Sequence, residues 1–422
     1  MAMSLLGRFA ARAPVPVFPA VGRDGEVRLD VLSLAPALRV VDSPRHASIL
    51  LVSGDIRTAD RDSLARVHDQ LAHPRATLWW GTQPRADTGA ALTVAAAESP
   101  ETALRDLYRR LLTGGHTSET HWLADEPPNP WRGRGDHGQG GEGMMGGVPY
   151  GRMMPMPPTP DLRDGLALDV YTAQFGPFLP QLPPGLVLEI TLQGDVIQSA
   201  AVVRPPFLPG RDASAPFDRV LHEATPVAAI ERARAAHHLR CVARLLGILQ
   251  LAPQAARCRR TALKIERGGS IDLAPLRKTL RRAGAFAAIP AGLGPIDAAW
   301  AAELGGPAAR AADQARDRRE TAPAYRNLDF RTLCQSGGDV RARFTQWLDE
   351  AEQALALARA AGDAAIEKGA PVETPWGHRA PPSVYRLTDM LPGLEWGEAL
   401  LTIASFDAAA VCRMAPLGIE NP

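Results

Sequence analysis

Cysteine is the first scarcity. The chain of 422 residues holds four, Cys241, Cys258, Cys334 and Cys412, and no two of them stand two or three residues apart. Without a C-x-x-C pair, a zinc knuckle or a self-contained iron–sulfur site is not expected. The first 240 residues hold no cysteine at all. Charge of one sign is also missing. Lys and Arg number 47 against 46 Asp and Glu, a net charge of +1. That balance gives no electrostatic footprint for nucleic acid. Long apolar runs are absent, since the stretch around Leu245–Leu251 is far short of the ~20 residues a bilayer demands. Aromatics make up only 5%. Nor does the chain contain H-E-x-x-H, G-x-S-x-G, a Walker-type G-x-x-x-x-G-K-[ST], or a G-x-G-x-x-G that opens a helix.

Ample apolar residues remain, at 45% of the chain, with 22% charged, as in a globular protein long enough for two or three domains. The N-terminal MAMSLLGRFAARAPVPVF places its apolar piece before its arginines, the reverse of a secretory leader. The expectation is a cytoplasmic protein. Residues 1–125 read as a small α/β unit. ASILLVSGDI (Ala47–Ile56) and ATLWWG (Ala76–Gly81) are short apolar strands, and ALTVAAA (Ala91–Ala97) fits a third. SLARVHDQLA has helical spacing. SPETALRDLYRRLLTGG carries Ser99 and Pro100 as start signals and Gly114-Gly115 as a stop. Strand–helix–strand order of this kind predicts a parallel sheet with crossover helices.

Residues 126–160 break that pattern. Glycine and proline forbid regular structure there, and Met144, Met145, Met153, Met154 and Met156 concentrate in it. Thioethers in such a linker pack adaptably against a partner or groove, with a soft-metal site as the sharper alternative. From residue 161 a third region begins. Over 165–205, VLEITLQGDVIQSAAV carries Gly194-Asp195 between alternating runs, a hairpin signal. Helices follow over 225–415, first in VAAIERARAAHHLRCVARLLGILQL, then in QAARCRRTALKIE beyond Pro253, then from Val340 to Gly362. The fold class expected is α+β: an N-terminal α/β domain with a parallel sheet, then a helical bundle with a small antiparallel sheet. His237 and His238 are adjacent on a helix, about 100° apart, so they do not chelate one ion together. They read as surface or interface histidines. Arg240, Arg244, Arg257, Arg259 and Arg260 read as a solvated or partner-facing surface.

Leu245–Ala256 has the form L-L-G-I-x-x-x-x-P-x-x-A. Gly306-Pro307 precedes Arg310, Asp317, Arg318 or Arg319, Tyr325, Asp329-Phe330 and Gly338-Asp339. Glu373–Gly377 reads E-x-P-x-G, and DMLPGLEWGEALLTIASFD ends in Ser-x-Asp. In order and spacing these stretches resemble the quinone-site large subunit of respiratory complex I and its relatives, the nickel–iron hydrogenase large subunits. The first half resembles the cluster-bearing small subunit of the same machines, so the chain looks like two such partners fused.

The resemblance implies a peripheral subunit on the inner face of the plasma membrane, partnered by membrane subunits of a complex-I-like or antiporter-like assembly. The departures are as telling. Where that small subunit places a cysteine after the glycine, Gly81 is followed by Thr82-Gln83-Pro84. Both C-x-x-C pairs of the nickel–iron site are missing. Where the quinone-site hairpin carries H-P-x-x-H-G, this chain reads GPFLPQLPPGL, with Phe178 or Leu179 at the histidine positions. The expectation is a cluster-free scaffold with no cofactor of its own and no catalysis alone. Its alternative is an NADH:quinone-oxidoreductase-like subunit that binds quinone and receives electrons from another chain; a free-standing soluble protein that has repurposed the fold is a third reading. Arg310, Asp317, Arg318, Tyr325, Asp329 and Asp339 are then interface or intramolecular charge-pairing residues, Phe178 and Leu179 mark the former quinone cavity, and Met144 and Met145 face a partner.

Overall fold

A computed structural model describes residues 13–84, 92–123, 160–163, 165, 170–207, 215–376 and 384–407. The linker and its methionines, Met144 and Met145 among them, lie outside the described residues, as do Gly377 and Cys412.

Five parallel strands build the N-terminal part. They are β1 (Val15–Val21), β2 (Leu38–Val40), β3 (Ile49–Ser53), β4 (Ala76–Trp80) and β5 (Leu92–Val94), in the order β2-β1-β3-β4-β5. Helix α1 (Glu26–Leu32) follows β1, α2 (Arg61–Asp69) follows β3, and α3 (Glu101–Thr113) follows β5. Every residue of β3 and β4 is buried, as continuous apolar runs between two layers should be. Gly114 closes α3 in the left-handed region at φ +73°, the usual glycine stop.

Strand β1 was not expected, because VPVFPAV carries two prolines and sits inside the sheet. Its odd-numbered residues face β2: Val15 N–H donates to Ala37, and Val41 N–H donates to the Val17 carbonyl. Pro19 therefore points toward β2 beyond its end, since β2 pairs only with Val15–Val17. Pro16 points toward β3 just before that pairing begins at Val17. Neither proline removes a ladder bond, which is the condition for proline in a strand.

The second part opens with an antiparallel sheet of β6 (Val170–Phe175), β7 (Val187–Gln193) and β8 (Val196–Arg204), with β7 central. Gly194-Asp195 turns β7 into β8 as the sequence indicates. Helix α4 (Val227–Ile248) is the axis of the helical core, flanked by α5 (Ala252–Glu266), α6 (Ala274–Arg282), α7 (Ala298–Leu304), α8 (Gly306–Arg310), α9 (Val340–Ala360) and α10 (Trp396–Ala404). Leu239, Val242, Leu246, Phe344, Trp347 and Ala351 make its centre. Buried residues point in every direction from α4, so it behaves as a fully enclosed helix. The architecture is α+β.

The loop between β6 and β7 joins the two parts. Gly176 at φ +108° starts it, and a Cβ there would lie 2.0 Å from the Leu186 carbonyl oxygen, so only glycine closes the two ends. Phe178 at its tip enters the N-terminal core beside Phe18, Leu50, Val52 and Trp79, while Leu182 and Leu186 pack into the C-terminal core. This loop is sandwiched between the two parts of the chain. Polar contacts reinforce the seam. Arg57 donates to the Gly185 and Pro205 carbonyls and lies 4.4 Å over the Phe207 ring, and Arg204 reaches Asp60 at 2.9 Å. Arg244 pairs with Glu26 at 2.7 Å, Arg259 with Asp30 at 3.0 Å, and Arg240 with Glu266 at 2.6 Å. Three of the arginines read as a solvated or partner-facing surface are thus committed within the chain, all of them to α1, Arg240 through Asp30 at 3.6 Å.

Replacing Phe178 with Ala removes the residue that plugs one core into the other. Large-to-small changes of this kind cost about 3 kcal/mol. Urea unfolding of the Phe178→Ala chain is expected to show that loss, and limited proteolysis to cut the β6–β7 loop faster.

Candidate functional site

Two polar constellations lie in the C-terminal part, and a cavity lies at the seam. The larger constellation is a buried ion network. Helix α4 supplies Glu231, Arg234 and His238, spaced three and four apart along one stripe. Helix α8 supplies Arg310, the loop after it Asp317, Arg319 and Tyr325, helix α9 Glu350, and the segment after α9 Glu373. All nine are buried.

Arg310 grips Glu350 with two bonds, Nε to Oε1 at 2.7 Å and Nη2 to Oε2 at 2.9 Å. Its Nη1 reaches Glu373 Oε1 at 3.2 Å and Asp317 Oδ2 at 3.3 Å. Arg319 holds Asp317 with Nε at 3.0 Å and Nη2 at 2.7 Å, and donates Nη1 to Glu231 Oε2 at 3.1 Å. The Tyr325 hydroxyl donates to Glu231 Oε1 at 2.6 Å. Arg234 donates to Glu231 and to the Glu373 carbonyl. Planar guanidinium forks suit this bidentate packing.

Burial works to raise the Glu350 carboxyl, but the Arg310 guanidinium overrides it and holds the group well below the usual carboxylate range. Asp317 shows the same contest, won by Arg319. Tyr325 is pushed up by burial and then by Glu231, so it stays a hydroxyl donor. His238, 3.3 Å from Glu350, is held down to about 4 by burial and is neutral. It is enclosed in the core, not at a surface as its sequence suggested. Most strong donors here meet a carboxylate, while Arg234 Nη1 and the His238 ring nitrogens are buried without a hydrogen-bond partner. The network ties α4, α8 and α9 together.

The other expected residues divide. Arg318 is exposed, and only its backbone N–H approaches Glu373, at 3.4 Å. Asp329 is exposed and stands 3.8 Å from Arg331, apart from the network. Phe330 lies under Arg319, whose guanidinium carbon is 4.3 Å from the ring centre. Asp339 caps α9, accepting from Ala342 N–H at 2.7 Å and Gly292 N–H at 2.9 Å. The charged stretch Gly305–Phe330 does wrap the helical core, yet its network partners lie in the C-terminal part, not across the seam. Glu231, Arg234, Glu350 and Glu373 were not singled out as site residues. Their signal was positional: Glu231, Arg234 and His238 share the stripe of Ile230 and Cys241, and Glu350 adjoins Trp347 and Ala351.

The second constellation is small. His237 and Cys241 lie one helical turn apart on α4, and Asp407 follows α10. His237 Nε2 is 2.5 Å from Asp407 Oδ2 and 3.6 Å from Cys241 Sγ. Burial opposes protonation of His237, but Asp407 and Cys241 outweigh it and raise the group to about 10. Both contacts use the same ring nitrogen. A nucleophile–base–acid triad needs both nitrogens, so this is not one. Sequence reading tested only the His237–His238 pair and passed over the His–Cys pair at i, i+4.

At the seam lies a cavity of ≈ 470 Å³. Phe178, Leu179, Leu29 and Ile248 give it apolar walls, and Arg240, Arg244 and Arg259 lie on its polar side with Glu26 and Asp30. Burial raises the Asp30 carboxyl despite Arg259 beside it. At the far ends of β3 and β4, the Thr82 hydroxyl donates to Asp55 Oδ1 at 3.0 Å.

Glu350→Gln leaves Arg310 without its main counter-charge in the core. Breaking a buried pair from one side costs about 3 kcal/mol or more, whereas Asp329→Asn should stay within about 0.5 kcal/mol. Glu350 and Asp317 titrate lower in the folded chain than in the unfolded one. The stability they add is present above the ordinary carboxylate range and is lost as pH falls below it. Denaturant titrations at neutral pH and through the acid range, on both variants, check the two expectations together.

No protein-family model matches the chain, and no curated protein matches it. Among solved structures, one chain of the membrane-bound sulfane sulfur reductase, an archaeal respiratory membrane complex, is similar at 17% identity and a TM-score of 0.44, over 58% of this chain and 98% of that chain.

Proposed function

We propose that this chain is a cluster-free peripheral subunit of a membrane-bound, complex-I-like assembly, a scaffold that organises ion- or proton-translocating membrane subunits from the cytoplasmic face. One observation carries the reading. A parallel-sheet unit resembling the cluster-bearing subunit is docked on a helical unit resembling the quinone-site subunit, and its 240 leading residues contain no thiol. Iron–sulfur clusters require thiolate ligands. A polar, hydrogen-bonded Asp55–Thr82 pair at the strand ends is compatible with that loss. Among the described residues no helix is long and apolar enough to cross a membrane, so attachment would run through partner subunits.

A second reading is favoured by the seam cavity. Its ≈ 470 Å³ falls within the range of small-molecule pockets, and Phe178 and Leu179 line it where the resemblance implies a quinone headgroup site. Against it stands the donor set. The loop offers two hydrocarbons where a quinone carbonyl needs a hydrogen-bond donor, and Arg240, Arg244 and Arg259 are engaged by acidic partners.

Affinity capture of the tagged chain from detergent-solubilised native membranes tests the first reading. Polytopic, antiporter-like subunits are expected in fixed stoichiometry. Recovery of the chain alone from the soluble fraction would overturn it. Calorimetric titration with a short-chain quinone tests the second. Saturable binding abolished by Leu179→Trp would move the quinone reading to the front.

A further inference from the structure

The His237–Cys241–Asp407 group has a use that neither reading absorbs. Two of its donors sit one turn apart on α4, and the third, Asp407, converges on them from 170 positions away. Cys241 is 1% exposed, and the side chains of His237 and Asp407 are 25% and 9% exposed. All three donors lie within 4.8 Å of one another. Helix α10 packs on α4 and brings Asp407 to the His–Cys edge.

The sulfur–nitrogen spacing matches a coordination sphere. With Zn–S near 2.3 Å and Zn–N near 2.0 Å, a tetrahedral angle puts sulfur and nitrogen about 3.5 Å apart. The observed Cys241 Sγ to His237 Nε2 distance is 3.6 Å. Nitrogen and carboxylate oxygen on the same ion would stand about 3.3 Å apart. Asp407 is closer than that, at 2.5 Å, because a direct hydrogen bond now spans the gap. Its carboxylate would withdraw by roughly 0.8 Å to admit the ion. Asp407 lies beyond the last turn of α10, where such an adjustment does not disturb the helix.

Donor chemistry narrows the ion. Hard cations such as Ca²⁺ and Mg²⁺ take oxygen ligands almost exclusively. A thiolate, an imidazole and a carboxylate are the ligands of zinc-type divalent ions. Three protein ligands leave a fourth position open. A small cavity of ≈ 20 Å³ lined by Asp407, Trp376, Ser405 and Phe406 adjoins the group, with room for one water. The Trp376 ring stands edge-on to His237, with centroids 5.5 Å apart, and restrains the imidazole orientation.

We propose that His237, Cys241 and Asp407 bind one zinc-type divalent cation, with a water-sized ligand completing a four-coordinate site. As the metal binds, the Cys241 thiol proton and the His237 Nε2 proton shared with Asp407 both leave to solvent, freeing sulfur and nitrogen lone pairs for the ion. Zinc is redox-inert, so the site is independent of whether the chain is a scaffold or a quinone-binding subunit.

The test uses the purified full chain, stripped with chelator and dialysed against Co²⁺ or Zn²⁺ alone. One ion per chain is expected, and Co²⁺ should give a near-ultraviolet thiolate charge-transfer band. Cys241→Ser should abolish that band and weaken binding by more than the roughly tenfold that loss of an outer-shell partner costs. Asp407→Asn should keep the band and bind more weakly. Cys258→Ser and Cys334→Ser should change neither. X-ray absorption of the Zn²⁺ form should show one sulfur, with nitrogen and oxygen filling the rest. Absence of stoichiometric metal, a band that survives in Cys241→Ser, or a shell with no sulfur or more than one would overturn the proposal. The absorption spectrum decides the matter on the unaltered chain should the serine variant fail to fold.

Discussion

The bidentate pair between Arg310 and Glu350 is the constraint on which the C-terminal part depends. It joins α8 to α9, and through Asp317, Glu373 and Arg319 it reaches the loop before α9, the segment after it and α4. Each of these charges sits where water cannot reach it. Desolvation alone would neutralise them, and their mutual attraction outweighs that penalty only while every partner stays in place. A network of this kind fixes which segments meet more than it adds net stability. It lets a loop with little regular structure, residues 311–339, hold one path around the helical core.

The seam between the two parts is built differently. Phe178 provides hydrophobic insertion, and the Arg244–Glu26 and Arg259–Asp30 pairs are partly open to solvent, where ion pairs contribute modestly. Apolar burial therefore sets the strength of the seam, while the charges set its register. Because the loop from Gly176 to Leu186 is used for this docking, several of its side chains line the seam cavity, with Pro180 left exposed. The same placement puts Leu179 and Phe178 at one wall of that cavity.

Much of this architecture was legible in the sequence. Continuous apolar runs marked β3 and β4, a Gly-Asp turn between alternating runs marked β7 and β8, and leucine spacing marked α4. Strand β1 was hidden because its prolines argue against a central strand, and only pairing geometry shows that neither costs a ladder bond. Helix α1 is short, with Val27 and Val31 exposed, so its periodicity is faint. The ion network was half legible. Arg310, Asp317 and Tyr325 stood out by motif, but His238 read as a surface or interface histidine, and Glu231 and Arg234 carried no motif. Charge types mislead wherever burial depends on a partner far away in sequence. Asp407 and His237 are 170 positions apart, a juxtaposition that only the packing of α10 on α4 creates.

The most direct test of the cluster-free account is an assay of iron and acid-labile sulfide on the purified full chain, with low-temperature paramagnetic resonance after reduction. The account predicts a colourless protein with no sulfide and no resonance, even after anaerobic reconstitution with iron and sulfide. Stoichiometric iron with matching sulfide and a reduced-cluster signal would contradict it.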